Sequence, residues 1–223
     1  MKAFMLAAGK GTRMGALTRA RPKPMVPACG RPLIDYQLEA LAAAGFREVV
    51  INTARFGDQI ARHVGSGAAF GLEVAFSAEG EEPLETGGGI HRALPLLGPG
   101  PFLVLNADVF TDLDFVQLPG APGPLAHLVL VPNPPHNPDG DFSLDGDGRV
   151  GLDGTARYTY SGIAVLRPEL FAEAAPGAFP LAPLLRHAAS QGLVTGRVHR
   201  GRWLDVGTPE RLAQLEQWLS RHD

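Results

Sequence analysis

The chain has 223 residues, 45% of them hydrophobic, a formal charge of −3 and a single cysteine, Cys29. That length holds one substantial domain, the apolar share is too large for a disordered chain, and the mild negative charge leaves no basic face for nucleic acid. One cysteine excludes an internal disulfide or thiolate cluster, and no apolar run approaches the roughly 20 residues of a bilayer span, so the expectation is a cytoplasmic protein with no membrane or nucleic-acid partner.

In chain order, strand-like and helix-like segments alternate. Residues 2–8 read as a short buried strand. The stretch 31–44 places Leu33, Ile34, Leu38 and Leu41 at helical spacing, with Gly45 as a stop. A β-branched strand at 48–52 is followed by a short helix at 56–64 and a strand at 72–77. A helix at 88–97 precedes FLVLN (102–106), a strand ending in a polar residue. This β-α-β-α order predicts an α/β fold with a mostly parallel central sheet and helices on both faces. Ligands gather at the carboxyl ends of such strands, which makes Ala8–Arg13, Asn52 and Asn106–Asp108 neighbours in space.

The second half is less regular. A strand at 126–131 leads into the proline-rich PNPPHNPDGD, which reads either as a substrate lid or as a plain surface loop. DGDG within 142–152 predicts a hairpin. Strands at 158–166 and 203–206 and helices at 181–191 and 209–219 complete the chain, the last helix opened by Thr208-Pro209. No internal repeat is present, and nothing resembles the hexapeptide repeats of a β-helix. One domain over 1–223 is expected.

The most informative stretch is LAAGKGTRM (6–14), a glycine-rich turn directly after the first strand. It is not a Walker A loop, because Gly9-Lys10-Gly11 lacks the four-residue spacing and the following Lys-Ser/Thr. It is a poor dinucleotide loop, because Gly15 falls one residue late and the second strand ends in Asn52-Thr53 rather than an acid. What remains is a loop that wraps a nucleoside triphosphate. Gly9 and Gly11 let backbone amides approach oxygen atoms, and Lys10 and Arg13 supply charge, Arg13 with a fork suited to phosphate. Ten residues on, Pro22 and Pro24 hold the stem of Lys23 in a defined place.

LAAGKGTRM followed by PKPM resembles the signature of the sugar-1-phosphate nucleotidyltransferases, which join a sugar 1-phosphate to a nucleoside triphosphate. The likeness continues in family order through LETGGG (84–89), NAD (106–108), SGI (161–163) and WLDVGTPE (203–210). Within the family, the short length, LETGGG, TYSGI and WLDVGTPERL resemble the members that transfer UMP from UTP to N-acetylmuramate α-1-phosphate in cell-wall recycling. A thymidylyl-, guanylyl- or uridylyltransferase for another hexose 1-phosphate is the alternative. A regulatory module that binds nucleotide sugar without catalysis is a third reading. It would be expected to have lost a catalytic cation or carboxylate, and all are present.

The resemblance implies a Rossmann-like nucleotidyltransferase fold without a C-terminal β-helix. Residues 1–110 would hold the nucleotide and 111–223 the sugar phosphate. It implies Arg13 and Lys23 as the catalytic cations, and Mg²⁺ held by the strand-end carboxylates Asp108 and Asp205, a pair that suits octahedral coordination with phosphate oxygens and water. Nucleotide contacts are expected from Ala8, Gly9, Gly11, Thr12, Arg13 and Lys23, with base contacts from Asn52, Glu79 and Gly87. Uracil and thymine differ by one methyl, worth only about 1–3 kcal/mol in a snug pocket, so UTP and dTTP are both open. Sugar-phosphate contacts are expected from Thr86, Gly88, Asn106, Asp141, Ser161 and Gly162. Thymidylyltransferase members carry a second lysine just past the strand corresponding to YTYSGI; here Arg167 is the nearest cation. Arg157, Arg200 and Arg202 are the arginines considered for the lactyl carboxylate of a muramate. A monomer is expected.

Overall fold

Short runs of β-branched and aromatic residues form the strands, and segments with apolar residues every three or four positions cover them. The computed structural model describes residues 1–121 and 123–220. Among these, the strands are β1 (Lys2–Leu6), β2 (Pro27–Ala28), β3 (Arg31–Pro32), β4 (Glu48–Thr53), β5 (Glu73–Ala78), β6 (Phe102–Asn106), β7 (Val109–Thr111), β8 (Ala126–Val131), β9 (Phe142–Leu144), β10 (Val150–Gly151), β11 (Arg157–Leu166), β12 (Val194–Val198) and β13 (Trp203–Asp205). The α-helices are α1 (Leu33–Ala43), α2 (Gly57–Val64), α3 (Glu85–Leu97), α4 (Ala182–Ser190) and α5 (Pro209–Leu219). No helix among the described residues is long and apolar enough to cross a membrane.

The main sheet runs β10-β9-β11-β6-β1-β4-β5, with β8 and β12 branching from β11. It is parallel from β5 through β4 and β1 to β6, and turns antiparallel at β11. Because β1 lies between β4 and β6, the loops leaving all three strands open at the same edge. That edge is the switch point where α/β sheets bind ligands. The register of β11 against β8 shifts between Tyr160 and Ile163, a bulge at Ser161–Gly162 that bends the strand where it crosses this edge.

Alternation along the strands feeds two cores. Ala3, Met5, Val49, Ile51, Leu103 and Leu105 face α1 and α2, where Ile34, Leu38, Leu41 and Ile60 are buried. Phe4, Val50, Phe102 and Val104 face the other way, onto Ile90 and Ala93 of α3 and Leu185 and Ala188 of α4. Each fully buried Leu or Ile contributes about 1.5–3 kcal/mol. Truncating one at the centre, Leu38→Ala, costs about 2–5 kcal/mol including the cavity. A third cluster joins Met14, Val26 and Leu33 to Leu204, Val206, Leu212 and Leu215. Through it the C-terminal helix α5 packs beneath the glycine-rich loop.

Three features differ from the sequence reading, each for a physical reason. Helix α1 starts at Leu33, because Pro32 is extended (φ −54°, ψ 141°) and Arg31–Pro32 pair with Pro27–Ala28. Strand β12 went unread because Gly196 and Arg197 interrupt its apolar pattern, although Val194 is fully buried against β8. Helix α3 starts at Glu85 and not at 88, so LETGGG forms the first turn of the helix. Three glycines in a row oppose helix formation by about 1 kcal/mol each, so something must compensate for them.

Candidate active site

A relay of side chains fixes the ends of the parallel strands. Ala7 N, just past β1, donates to Asn52 Oδ1 (2.6 Å), Asn52 Nδ2 donates to Glu79 Oε1 (2.6 Å), and Leu84 N donates to Glu79 Oε2 (2.7 Å). Asn52, at the end of β4, is 1% exposed. Its amide and the Glu79 carboxylate thus shape the pocket wall, and Asn52, expected at the base, lines the first cavity while Glu79 stands behind it.

The glycines of α3 serve the same construction. A Cβ at Gly89 would collide with the Glu79 carboxylate and Asn52 Nδ2, one at Gly88 with Gly177 O, and one at Gly87 with the Phe179 ring. Gly87 N and Gly88 N both donate to Phe179 O (2.9 and 3.0 Å). Close docking of the helix start onto the relay and onto residues 177–179 is therefore what compensates the glycine penalty. Gly87, expected at the base, and Gly88, expected at the sugar phosphate, are buried, with their Cα faces turned to Phe179 and Gly177. Thr86, expected at the sugar phosphate, lines the pocket, with its Oγ1 accepting from Leu181 N (2.8 Å).

The loop after β1 is held from below. Met14 is 1% exposed in the third core. Gly11 turns at φ +63°, and its carbonyl accepts from Met14 N (3.0 Å) and Thr18 Oγ1 (2.9 Å). Thr12 and Arg13 are exposed on top. A Cβ at Gly207 would sit 3.2 Å from Arg13 Nη2, so the Arg13 guanidinium lies across Gly207 of WLDVGT. Lys10 pairs with Glu82 (2.7 Å), an exposed pair worth little in stability.

Lys23 opens a single 3-10 turn, Lys23–Met25, with Pro22 extended before it. Its side chain is 10% exposed and ion-paired with Asp108 Oδ2, whose side chain is 27% exposed. Asp108 leads into β7, and β13 pairs antiparallel with β7 so that Asp205 lies opposite Val109; Val206 N donates to Asp108 O (2.8 Å). Asp108 and Asp205, 97 residues apart in sequence, thus stand on adjacent backbone. Asp205 carries its own cation, Arg211 Nη1 at 2.5 Å, delivered by the first turn of α5. His136 of the proline-rich loop approaches Asp205 Oδ1 to 3.8 Å. That loop is pinned to β11 by Asn137 Nδ2 donating to Thr159 Oγ1 (3.1 Å), which donates to Asn133 Oδ1 (3.0 Å), so it is an ordered wall beside the carboxylates.

Two cavities occupy this edge. One, of about 190 Å³, is walled by Ala8, Gly9, Lys23, Asn52, Glu85 and Asp108 among others. The second, of about 240 Å³, is walled by Asp141, Phe142, Tyr160, Leu185 and Arg186. Leu6, Thr86 and Asn106 line both, so the two share a wall at the end of β1 and β6. Asp141 Oδ2 accepts from Tyr160 N (2.8 Å), and burial pushes the Tyr160 phenol well above its ordinary value of 10, so it stays protonated.

Among the expected sugar contacts, Ser161 is 1% exposed and its hydroxyl donates to Val129 O (2.7 Å), which spends it inside the sheet. Gly162 (φ +81°) leaves the space that the Asn106 side chain fills. It positions Asn106 and makes no wall of its own in either cavity. Arg157 is consumed by the carbonyls of Asp139, Gly140, Asp141 and Leu152. The sequence reading missed Arg186, Tyr160 and Arg211, which come from α4, the β11 bulge and α5. It also missed Glu85, a non-glycine residue at φ +59° at the start of α3. The run of glycines after Glu85 was the available signal, since it marks a helix start under unusual packing demand.

For a divalent cation, the donor chemistry fits. Two hard carboxylates lie on adjacent strands beside a cavity lined with loop backbone, and among the described residues no cluster of three or more His, Cys, Asp or Glu side chains forms a closed protein cage. Two carboxylates with the rest of the shell left to substrate oxygens and water is the pattern of Mg²⁺ at phosphate sites.

Comparison with known proteins agrees with this geometry. The family model described as nucleotidyl transferase matches residues 2–121. An N-acetylmuramate α-1-phosphate uridylyltransferase of Neisseria meningitidis is 49% identical, over 97% of each chain. Another of that name from Caulobacter vibrioides is 35% identical, over 98% of this chain and 96% of its own. A Bacillus anthracis structure described as a glucose-1-phosphate thymidylyltransferase superposes with a TM-score of 0.83, covering 99% of this chain and 95% of that one at 20% identity, which speaks for the fold alone. With a matching family model over more than half its length and relatives alike from end to end, the chain belongs to the nucleotidyl transferase family and is a nucleotidyltransferase enzyme.

Proposed function

We propose that the chain transfers UMP from UTP to N-acetylmuramate α-1-phosphate, giving UDP-N-acetylmuramate and pyrophosphate, as a cytoplasmic monomer in cell-wall recycling. The observation that carries the reaction type is the pair of cavities sharing a wall at Leu6, Thr86 and Asn106, with Lys23 and Asp108 in one and Asp141 in the other. Two substrates can lie end to end there. The identity of the nucleotide and sugar is supported by the relatives that carry that activity in their names. Residues 1–110 supply the nucleotide side and 111–223 most of the sugar side, with Leu6, Thr86 and Asn106 serving both.

An oxygen of the sugar phosphate attacks the α-phosphorus in line. The new P–O bond forms as the bond to the β-phosphate bridging oxygen breaks, and pyrophosphate leaves with that electron pair. The attacking oxygen is already anionic, so no side chain has to remove a proton, and alignment with charge neutralisation carries the catalysis. The Ala8–Gly11 backbone approaches the triphosphate, Arg13 meets its outer phosphates, and Lys23 stands where charge builds on the α-phosphate. Asp108 and Asp205 would hold Mg²⁺, which when bound neutralises phosphate charge.

The test is pyrophosphate release with Mg²⁺, pairing UTP, dTTP, CTP, GTP and ATP with N-acetylmuramate, N-acetylglucosamine, glucose and mannose 1-phosphates. Release confined to UTP with N-acetylmuramate 1-phosphate is expected. Release with another pair refutes the substrates and keeps the chemistry; binding of nucleotide without release under any pair refutes both.

A further inference from the structure

If a muramate is the sugar, its lactyl carboxylate is a second anion on the substrate, distant from the 1-phosphate. A built site for it needs a cation that is not already spent, in the sugar cavity, away from the reacting end. The arginines of the second half separate clearly on this criterion. Arg157 donates to four backbone carbonyls, Arg167 to Gly123 O (3.3 Å), Arg197 to Gln117 (3.2 Å to its Oε1) and Arg211 to Asp205. Arg202 has partners of its own, and neither it nor Arg149 nor Arg200 lines either cavity. Arg186 of α4 does line the second cavity, and its guanidinium forms no hydrogen bond or ion pair with the described residues; it rests 5.7 Å from the centre of the Phe142 ring.

We propose that Arg186 is the residue that reads the sugar-borne carboxylate. The two cavities set the direction of the substrate. Lys23 and Asp108 line the first alone, and Asp141, Phe142 and Arg186 the second alone. The 1-phosphate has to lie toward Lys23 to reach the α-phosphorus, which leaves Arg186 to the sugar's other substituents. The surroundings match a lactyl ether. Leu181, Leu185 and Phe142 give apolar surface for a methyl group, and the aromatic face beneath Arg186 holds its plane for forked contact with a carboxylate. Asp141 faces the same cavity, where it accepts sugar hydroxyls and repels an anion from every place except that covered by Arg186. The inference rests on the muramate reading of the previous subsection.

The experiment compares N-acetylmuramate 1-phosphate with its lactyl methylamide, which keeps the size and loses the charge, as UTP acceptors for the wild-type chain and for Arg186→Met, which keeps the apolar cover over Phe142. A charge-assisted contact predicts that the wild type prefers the acid by about tenfold or more in kcat/KM, and that the Arg186→Met preference falls to near unity through a raised KM for the acid. A variant that retains the wild-type preference overturns the assignment, as does one that loses acid and amide equally. A wild type that accepts neither muramate compound refutes the muramate reading itself, and is told apart by the wild-type measurement alone.

Discussion

Replacing Lys23 separates structure from chemistry, because the residue has a stake in both. Its side chain is 10% exposed and its ion pair with Asp108 is shielded on one side only, the aspartate being 27% exposed. Breaking a fully buried pair by removing one partner costs about 3–5 kcal/mol, whereas exposed pairs contribute under about 1 kcal/mol. With water able to reach Asp108, Lys23→Met falls between, at about 1–2 kcal/mol, and the methionine stem keeps the packing beside Pro24. For a chain of this length, about 2–4 °C of melting temperature follows each kcal/mol, so the variant should melt about 2–8 °C lower and remain folded at 25 °C. Loss of the charge at the reacting phosphate should cost about 3–4 kcal/mol of transition-state stabilisation, or about 10²–10³ in kcat. Thermal unfolding and pyrophosphate release on the same preparation read the two effects. A folded Lys23→Met that turns over within about threefold of wild type would remove Lys23 from catalysis and leave it a structural lysine.

Three other perturbations test other parts of the site. Gly88→Ala drives a methyl group into Gly177 O and should lower stability by about 1–3 kcal/mol, whereas Gly9→Ala, with nothing within 4 Å of the new atom, should leave the melting temperature alone and reduce affinity for UTP; equal melting points for the two would refute the docking argument for LETGGG. Chelation with EDTA should stop turnover but leave the melting temperature of the substrate-free protein unchanged, since Lys23 and Arg211 already balance Asp108 and Asp205; a large melting shift would mean that a cation is part of the fold. His127 on β8 is held below its ordinary value of 6.5, first by burial and then by Arg197, and its Nε2 is buried without a partner. The unfolded chain therefore takes up this proton first, so stability is intact above about pH 6.5 and falls as pH drops below it; His127→Asn, melted at pH 7.5 and 5.5, should lose less on acidification than wild type.

The parallel half of the fold was legible because its signals are local. The strands at 48–52 and 102–106 each carry an unbroken apolar run, 49–51 and 102–105, α1 repeats Leu and Ile at helical spacing, and the rule that strand ends meet at a switch point brought Ala8, Asn52 and Asn106 to one edge. What was not legible depends on long-range contact. Nothing within LETGGG says that each missing Cβ faces Phe179, Gly177 or Glu79, since those partners lie up to about 90 residues away. Asn52 and Glu79 look like ligand-binding residues because they are polar at strand ends, but their atoms are used by Ala7 and Leu84. Ser161 is polar in the same way, and its hydroxyl is turned to Val129 O. Arg186 could not be chosen among the arginines, because its distinction is an uncommitted guanidinium on the wall of the second cavity, which a sequence does not display.

The placement of charge suggests why the two carboxylates are built with cations already on them. An aspartate pair on adjacent strands repels itself, and each carboxylate would lose solvation as the pocket forms; Lys23 and Arg211 offset both effects from opposite sides, one from the loop after Pro22 and one from α5. On the proposed reaction, a nucleotide arriving with its cation replaces these partners instead of filling a vacant, self-repelling site. Asp108 would then hold the metal ion, which supplies charge neutralisation, and Lys23 would be free within the same cavity to meet the α-phosphate. The exchange keeps the local charge near balance throughout, so the cost of assembling the site is met in folding, by the cluster that packs α5 under the glycine-rich loop, and not at each turnover. Arg211 is then a positioning residue. Arg211→Met should raise the Mg²⁺ concentration needed for half-maximal rate, because Asp205 loses the contact that orients it; an unchanged or lowered requirement, read from rate against Mg²⁺ at saturating UTP, would remove the positioning role.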